Sequence, residues 1–596
     1  MNINLKVLSC CLVLLIGCSD DNKPTSATTS NKGSYNNIVD QAASEKTESK
    51  SGYSGKVPGY LDQNWTHDTR MEWWYTSQGS RLLPYNWFLA LEQPDNKTLI
   101  RSKENLEQYR FVSWTADPKW NPDGLPIGFV ADKDATSGTR YLGFTCAACH
   151  TGKIAYQGKE YLVEGAPAHH DIDRFTTEIA TSLQKTADNS DKFSRFAASV
   201  LGANAKAEDI AILKKQLSQE SSKLAERLKI NHPPYPNGYG RLDAFGNIFN
   251  EVVVSAINEP SNAKLADAPV SYPVLWDTPQ HDLVQWNGLA VNAGIGPYSR
   301  NTGEVVGVFG DLRIEKVDVA GSPEMSFKNH INIEHLGRLE EILRSLWSPL
   351  WPEQMLPAVN QTKAQNGKQI YETNCISCHH DIKRDDPTRK IEAAMIPLTD
   401  IGTDPTMAMN VATRMSKTGI LEGQTIFPIS KLVPNLPKFG AESQSVQMVL
   451  YSVVGILRDG LDPAILNQGI SPFLEAAKKN TFKDNCDPKK EGEKCLRPPR
   501  YKARPLNGIW ASAPYLHNGS VPNLWELLQK PEKRVSAFNV GSWELDPVNV
   551  GFSTAVEPAT SKFDTTLPGN SNKGHEYGSN LTETEKWELI EYLKTL

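Results

Sequence analysis

Cys146-Ala147-Ala148-Cys149-His150 and, far downstream, Cys375-Ile376-Ser377-Cys378-His379 decide how this chain is read. Both are Cys-x-x-Cys-His, the attachment pattern of a c-type haem. Two cysteines three positions apart sit about one turn apart, so their sulfurs can meet the two vinyl groups of one porphyrin as thioethers. The His that follows then lies under the iron as its proximal ligand. From the chain's own Cys and His frequencies roughly 0.003 matches are expected by chance, and two occur. The competing uses of Cys-x-x-Cys fit less well: zinc ribbons are mostly intracellular, and a thioredoxin-like pair needs a βαβ context that neither stretch has. Two covalently bound c-type haems are expected, one on Cys146, Cys149 and His150, the other on Cys375, Cys378 and His379.

The surroundings of the two stretches differ. Ala364, Gly367, Ile370 and Tyr371 make a helix face just before Cys375. The C-terminal stretch reads as a second helix, with Thr582 and Glu585 as a capping box and Trp587, Ile590 and Leu593 as the apolar face that packs across the first. The N-terminal stretch has no leading helix, because Gly138 to Gly143 precede it, and it sits in a more irregular region. For the sixth position of the second iron, Met395, Met407, Met409 and Met415 compete with His575, in Gly574-His575-Glu576-Tyr577-Gly578. The place of His575 just before the terminal helix favours it, and a second His lowers the potential relative to Met.

The chain's beginning reads as an address. The apolar run Val7 to Ile16 follows Lys6 and is too short to cross a bilayer, so it predicts a secretory signal spanning residues 1–17. Leu15-Ile16-Gly17-Cys18 resembles a bacterial lipobox, which implies cleavage before Cys18 and lipid on Cys18, with Cys10 and Cys11 removed. Ser19 in place of Asp after that Cys favours the outer membrane. Residues 18–57 are polar and nearly empty of large apolar side chains, the composition of a disordered tether. An exported, lipid-anchored protein facing the periplasm or cell surface is the expectation. In that oxidising setting Cys486 and Cys495, in a Pro- and Gly-rich loop, are expected to form a disulfide worth ~2–3 kcal/mol.

The remaining composition excludes several classes. The 596 residues carry 63 Lys+Arg against 69 Asp+Glu, a net charge of −6, which argues against nucleic acid as a partner. At 39% hydrophobic and 22% charged the chain is ordinary globular. Ile210, Leu213, Leu217, Leu224 and Leu228 recur at helical spacing, Lys153 to Gly165 alternates around Gln157-Gly158 as a hairpin, and Asn231 to Asn247, rich in Pro and Gly, reads as irregular loop. No Ser-His-Asp constellation or phosphate-binding loop is present. His169-His170, near Asp171 and Asp173, lacks metal-ligand spacing and reads as solvated loop. The fold expected is mainly α: two cytochrome c-type haem domains with long ordered loops and little sheet.

Two such haem stretches far apart, followed by Leu506-Asn507-Gly508-Ile509-Trp510-Ala511-Ser512-Ala513-Pro514-Tyr515-Leu516-His517-Asn518-Gly519-Ser520, resemble the di-haem cytochrome c peroxidase superfamily. Within it the chain looks most like the rubber oxygenase branch, to which bacterial di-haem oleate oxygenases are also similar. Leu83-Pro84-Tyr85-Asn86-Trp87-Phe88, Gln285-Trp286-Asn287-Gly288 and Arg300-Asn301-Thr302-Gly303-Glu304 belong to the likeness. It implies a catalytic N-terminal haem on His150, within residues 58–350, and an electron-transfer haem on His379, within residues 351–596. His575 stands where the peroxidases carry a Met, which favours the oxygenase branch. Trp276, Trp286 and Arg300 fall in the stretch expected to reach the catalytic haem, although each residue type more often serves packing or the surface. His517 is expected to support a haem edge. The implied activity is oxygenation of an unsaturated hydrophobic substrate, a fatty acid or isoprenoid, by O2. The alternatives are a peroxidase reducing H2O2 with electrons from a small redox cytochrome, and an electron-transfer cytochrome without catalysis.

Overall fold

The computed structural model describes residues 58–596 apart from 320, 430, 431, 433–435, 485 and 487–490. The signal, the lipid attachment at Cys18 and the tether lie outside the described residues. Among the described residues no helix is long and apolar enough to cross a membrane.

The expectation of a mainly α protein with little sheet is overturned. The chain is 40% helical and 17% strand, with many small sheets distributed along it. A Gly- and Pro-rich segment that runs through the interior must still pair its backbone N–H and C=O groups, and here it does so as two- and three-stranded ladders. Gly59–Tyr60, Lys159–Glu164 and Thr151–Tyr156 form one three-stranded sheet, and Leu83–Pro84, Arg140–Phe144 and Phe129–Lys133 another. The longest ladder pairs Leu312–Val319 with Ser322–Asn329. Support for two cytochrome c-type domains from the fold is correspondingly partial.

Where periodicity was strong, local structure follows it. Thr151–Tyr156 pairs antiparallel with Lys159–Glu164, and Gln157 (φ 50°) and Gly158 (φ 76°) supply the two left-handed residues of the connecting turn. Ala207–Ile230 is a helix that buries Leu213, Leu217 and Leu224. Glu583–Leu593 starts with a complete capping box: the Thr582 hydroxyl accepts from Glu585 N, and the Glu585 carboxylate accepts from Thr582 N at 2.8 Å. The irregular stretch ends earlier than expected, because Arg241–Leu242 pairs with Val270–Ser271 and Ala244–Asn250 is helical. Asp243 caps that helix by accepting from Gly246 N at 2.8 Å.

Three large apolar cores carry the molecule. One gathers Phe88, Phe111, Phe129, Phe144 and Phe175 with the helices Ile172–Asp188 and Ala207–Ile230. A second surrounds the helix Ser445–Gly460, including Val453, Val454 and Leu457. The third mixes Trp73, Trp74 and Leu162 from the N-terminal half with Tyr371, Trp510, Leu589 and Ile590 from the C-terminal half. Fully burying side chains of this size contributes on the order of 2–3 kcal/mol each before entropy is counted.

Candidate haem sites

The C-terminal site is built on two crossed helices. Asn360 caps Gln361–Asn374, and Gly367 lies directly under the terminal helix: a Cβ there would stand 2.0 Å from the Glu588 carbonyl oxygen. After Asn374 the chain makes one further turn, with Cys375 N donating to Tyr371 O and His379 N to Cys375 O at 2.9 Å. That turn places Cys375, Cys378 and His379 on one wall of a cavity of about 210 Å³. Its other walls are mostly apolar, including Ile401, Ile509, Leu528, Leu589 and Leu593.

His379 is held for ligation. Its Nδ1 lies 2.7 Å from the Arg504 carbonyl oxygen. A carbonyl only accepts, so Nδ1 carries the proton and Nε2 keeps a free lone pair, the tautomer a proximal ligand needs. Burial pushes the ring down to about 4, which keeps it neutral.

His575 faces it across the cavity. The two ring centroids are 6.2 Å apart with planes inclined by 50°. An imidazole nitrogen sits about 2 Å from a bound transition metal and its ring centroid about 1.1 Å further, so rings on opposite sides of one ion stand roughly 6 Å apart. The residues present therefore fit a six-coordinate haem iron between two imidazoles. His575 Nδ1 is buried without a partner, burial pushes the ring down to about 3, and the backbone takes a left-handed φ of 46°. Its N–H donates to Ile401 O at 2.8 Å. None of the four methionines lines this cavity. Met407 is buried in a separate apolar cluster, Met409 is exposed, Met395 packs on Gly288, and Met415 is in a strand paired with Gln444.

The N-terminal site has different architecture. The strand Arg140–Phe144 leads straight into the one-turn helix Cys146–His150, which Gly128 supports from beneath: a Cβ there would stand 2.2 Å from Ala148 N. Ala147 belongs to one apolar core and Ala148 to another, so the turn is wedged between them. Two backbone bonds return to it, from Gly165 N to His150 O and from Ala168 N to Cys149 O. Burial pushes Cys146 up to about 11 and Cys149 to about 12, and His150 down to about 4. The Pro273 backbone faces the His150 ring without hydrogen-bond alignment, leaving Nδ1 unpaired, unlike His379.

Several residues near this site carried no role in the sequence reading. Tyr272 packs against His150 at 6.0 Å and against His170 at 5.1 Å. Gln285 donates to Glu304 at 2.7 Å, and burial raises the Glu304 carboxyl, which lies within electrostatic range of Cys146 and Cys149. Both belong to stretches quoted for the family likeness, which is the signal that pointed to them. His169-His170 is a correction: the pair is buried, at 6% and 0% exposure, and not solvated. Aromatic packing against Phe111, Tyr272 and Phe552 takes the place of water.

The residues expected near the catalytic haem are tied into the frame. Trp276 donates to Asn507 O at 2.9 Å, Trp286 to Ser271 O at 2.8 Å, and Arg300 pairs with Glu340. His517 stacks on Tyr501 at 4.1 Å and lines the cavity shared by His379 and His575. Cys486 and Cys495 are joined as a disulfide, Cα–Cα 5.4 Å. Glu491 lies close to both sulfurs, but bridged sulfurs make that group no metal site.

A second cavity, of about 360 Å³, is not lined by Cys146, Cys149 or His150 themselves. Phe249, Val291, Val449, Val453 and Phe473 line it, and Gln285, Arg300 and Gly303 bring it up to the Glu304 carboxyl.

Residues 500–539 match the family described as RoxA-like, cytochrome c-like. That segment supplies Arg504, whose carbonyl orients His379, and Arg534, which holds the loop of His575. The chain is 24% identical to the uncharacterized protein y4iM of Sinorhizobium fredii (strain NBRC 101917 / NGR234) over 386 residues, covering 60% of this chain and 72% of that one. It is 30% identical to the uncharacterized protein y4iJ of the same organism over 596 residues, covering 90% of this chain and 93% of that one. The chain thus belongs to the family of the Sinorhizobium fredii protein y4iJ, and its RoxA-like segment marks it as a haem-containing cytochrome.

Proposed function

We propose that this protein is a di-haem c-type oxidoreductase in which the site at His150 oxygenates an unsaturated hydrophobic substrate and the site at His379 and His575 supplies electrons. The observation that carries the reading is the pairing of unlike sites: His379 is faced by a second imidazole at 6.2 Å, whereas the ring packed on His150 is Tyr272, and an apolar cavity reaches toward that side through Gln285 and Glu304. Haem, when bound, supplies O2 activation at an open iron and electron transfer at a closed one.

The chain's own residues provide the rest. Cys146 and Cys149, and Cys375 and Cys378, would attach the two groups, with His150 and His379 as proximal ligands. The Arg504 carbonyl fixes the His379 tautomer. The apolar walls around Phe249 and Phe473 exclude water and favour a hydrocarbon chain. Burial raises the Glu304 carboxyl, which accepts from Gln285, and this makes it the candidate to exchange a proton on the side of Cys146 and Cys149. In the cell, lipid on Cys18 would hold the enzyme at the outer membrane, beside lipids.

Glu304 also favours a second reading. Reducing peroxide to water consumes protons, and a buried acid at this place suits a peroxidase drawing electrons from a small cytochrome.

The decisive experiment uses the purified full chain. A pyridine haemochrome assay should give two haems per chain. With oleate or a polyisoprene the protein should consume O2 and incorporate label from ¹⁸O2 without added peroxide. Steady oxidation of reduced cytochrome c by peroxide, with no O2 uptake on any unsaturated substrate, would establish the peroxidase instead. Glu304→Gln, which keeps an acceptor for Gln285, should then slow turnover by about 10²-fold.

A further inference from the structure

The apolar cavity that Gln285 links to Glu304 has a polarity of its own. Arg300, Lys478, Arg497 and Arg500 line it, and among the described residues no Asp or Glu does. Two of these charges are already met, since Arg300 pairs with Glu340 and Arg497 with Asp484 at 2.9 Å. Among the described residues the Arg500 guanidinium donates to Asn480, through the backbone carbonyl at 2.8 Å and the side-chain oxygen at 2.5 Å, and has Asp282 in electrostatic range without an ion pair. Lys478 has no ion pair among the described residues. Both are half-buried, whereas the walls behind them, Phe249, Val453 and Phe473, are 4% exposed or less. The cations are therefore among the more solvent-reaching groups of a mostly apolar chamber, which Gln285, Asn287, Gln444 and Gln447 also line.

This end is also built to stay in place. Lys478 is on the last turn of the helix Pro463–Thr481. Arg497 N donates to Thr481 O at 2.9 Å, and the Cys486–Cys495 disulfide sits immediately upstream. Arg500 opens the strand Arg500–Ala503, paired with Ala394–Pro397. Burial lowers the Arg500 guanidinium, and neighbouring Arg497 adds to this while Asp282 only partly offsets it, so a further anion there would be favourable.

We propose that Lys478 and Arg500, with Arg497 beside them, bind the carboxylate of a long-chain amphipathic anion whose hydrocarbon tail fills the cavity toward Gln285 and Glu304. The inference rests on the proposed function, in which this cavity receives the substrate, and it selects a fatty acid over a neutral polyisoprene. A guanidinium and an ammonium together match a carboxylate with charge-assisted hydrogen bonds. A hydrocarbon without a head group gains nothing from them and brings no carboxylate to either cation.

Binding of a saturated probe separates the anchor from the chemistry. Stearate and methyl stearate, delivered from cyclodextrin, would be titrated calorimetrically into the haem-loaded full chain. Stearate should bind at least about tenfold more tightly than the ester. In the Lys478→Gln/Arg500→Gln double variant, with unchanged haem absorption, that preference should vanish while ester binding stays. Equal binding of acid and ester by the unaltered protein would overturn the inference, and this comparison needs no variant to fold. A preference for stearate with no O2 uptake on oleate would sink the oxygenase reading and leave the carboxylate site standing. Uptake on oleate without any acid preference would do the reverse.

Discussion

Arg534 holds His575 by its backbone. The guanidinium donates to the His575 carbonyl at 3.0 Å and to the Gly574 carbonyl at 2.9 Å, and reaches the carbonyls of Asn572, Leu527 and Gln529 as well. A planar fork of donors thus gathers a loop whose His sits at a left-handed φ of 46°. Replacing Arg534 by Ala strips five acceptors at once and should cost about 2–4 kcal/mol in chemical denaturation. In the haem-loaded protein the EPR signal of the second site should broaden or turn partly high-spin. Arg534→Lys should rescue little, because a point charge cannot bridge the same set of carbonyls.

Removing the imidazole itself should have a different signature. His575 Nδ1 makes no hydrogen bond, so His575→Ala leaves no orphaned partner and should lower stability only modestly. The variant should keep both haems by pyridine haemochrome yet bind cyanide at the second site. An unchanged EPR spectrum would mean that a different side chain is the ligand.

Gly367→Ala tests the crossing of the two helices. With the added Cβ 2.0 Å from the Glu588 carbonyl oxygen, the obstacle is backbone and cannot rotate away. The helices must separate, at a cost of about 2–3 kcal/mol, near the upper range for overpacking. The urea midpoint should fall with the slope unchanged.

His170 predicts an acid limb to stability. Burial pushes its ring down to about 3 and that of His169 to about 4, against an ordinary 6.5. Below pH 6.5 the unfolded chain takes up protons at these rings and the folded chain does not, so stability present above that value is lost as pH falls toward 4. His170→Phe, which can keep the stack on Phe111, should narrow the loss. Wild type and variant should unfold alike at pH 7 and separate by a few kcal/mol near pH 4.

What could be read from the sequence was what neighbours along the chain decide. The two Cys-x-x-Cys-His turns, the Gln157-Gly158 hairpin and the Thr582–Glu585 box each lie within a few residues. The Arg504 carbonyl on His379 closes over 125 residues, and Arg534 on His575 over 41. No periodicity encodes such pairs. The small sheets were missed for a related reason, since two-residue strands such as Gly59–Tyr60 carry no alternation and exist only because a distant partner satisfies them. His169-His170 misled because polar neighbours usually mean water, whereas aromatic rings from Phe111, Tyr272 and Phe552 enclose the pair.

The core that mixes Trp73 and Trp74 with Tyr371, Trp510 and Leu589 bears on timing. Halves joined by a thin polar interface move against each other by default, but a large apolar contact suppresses that motion. Between the turn at His150 and the turn at His379 the separation is then set by close-packed side chains. Charge passing from one to the other would cross a fixed gap, with no docking step to wait for. Its rate should be indifferent to added glycerol or sucrose, and cutting the chain near residue 350 should leave two fragments that stay together.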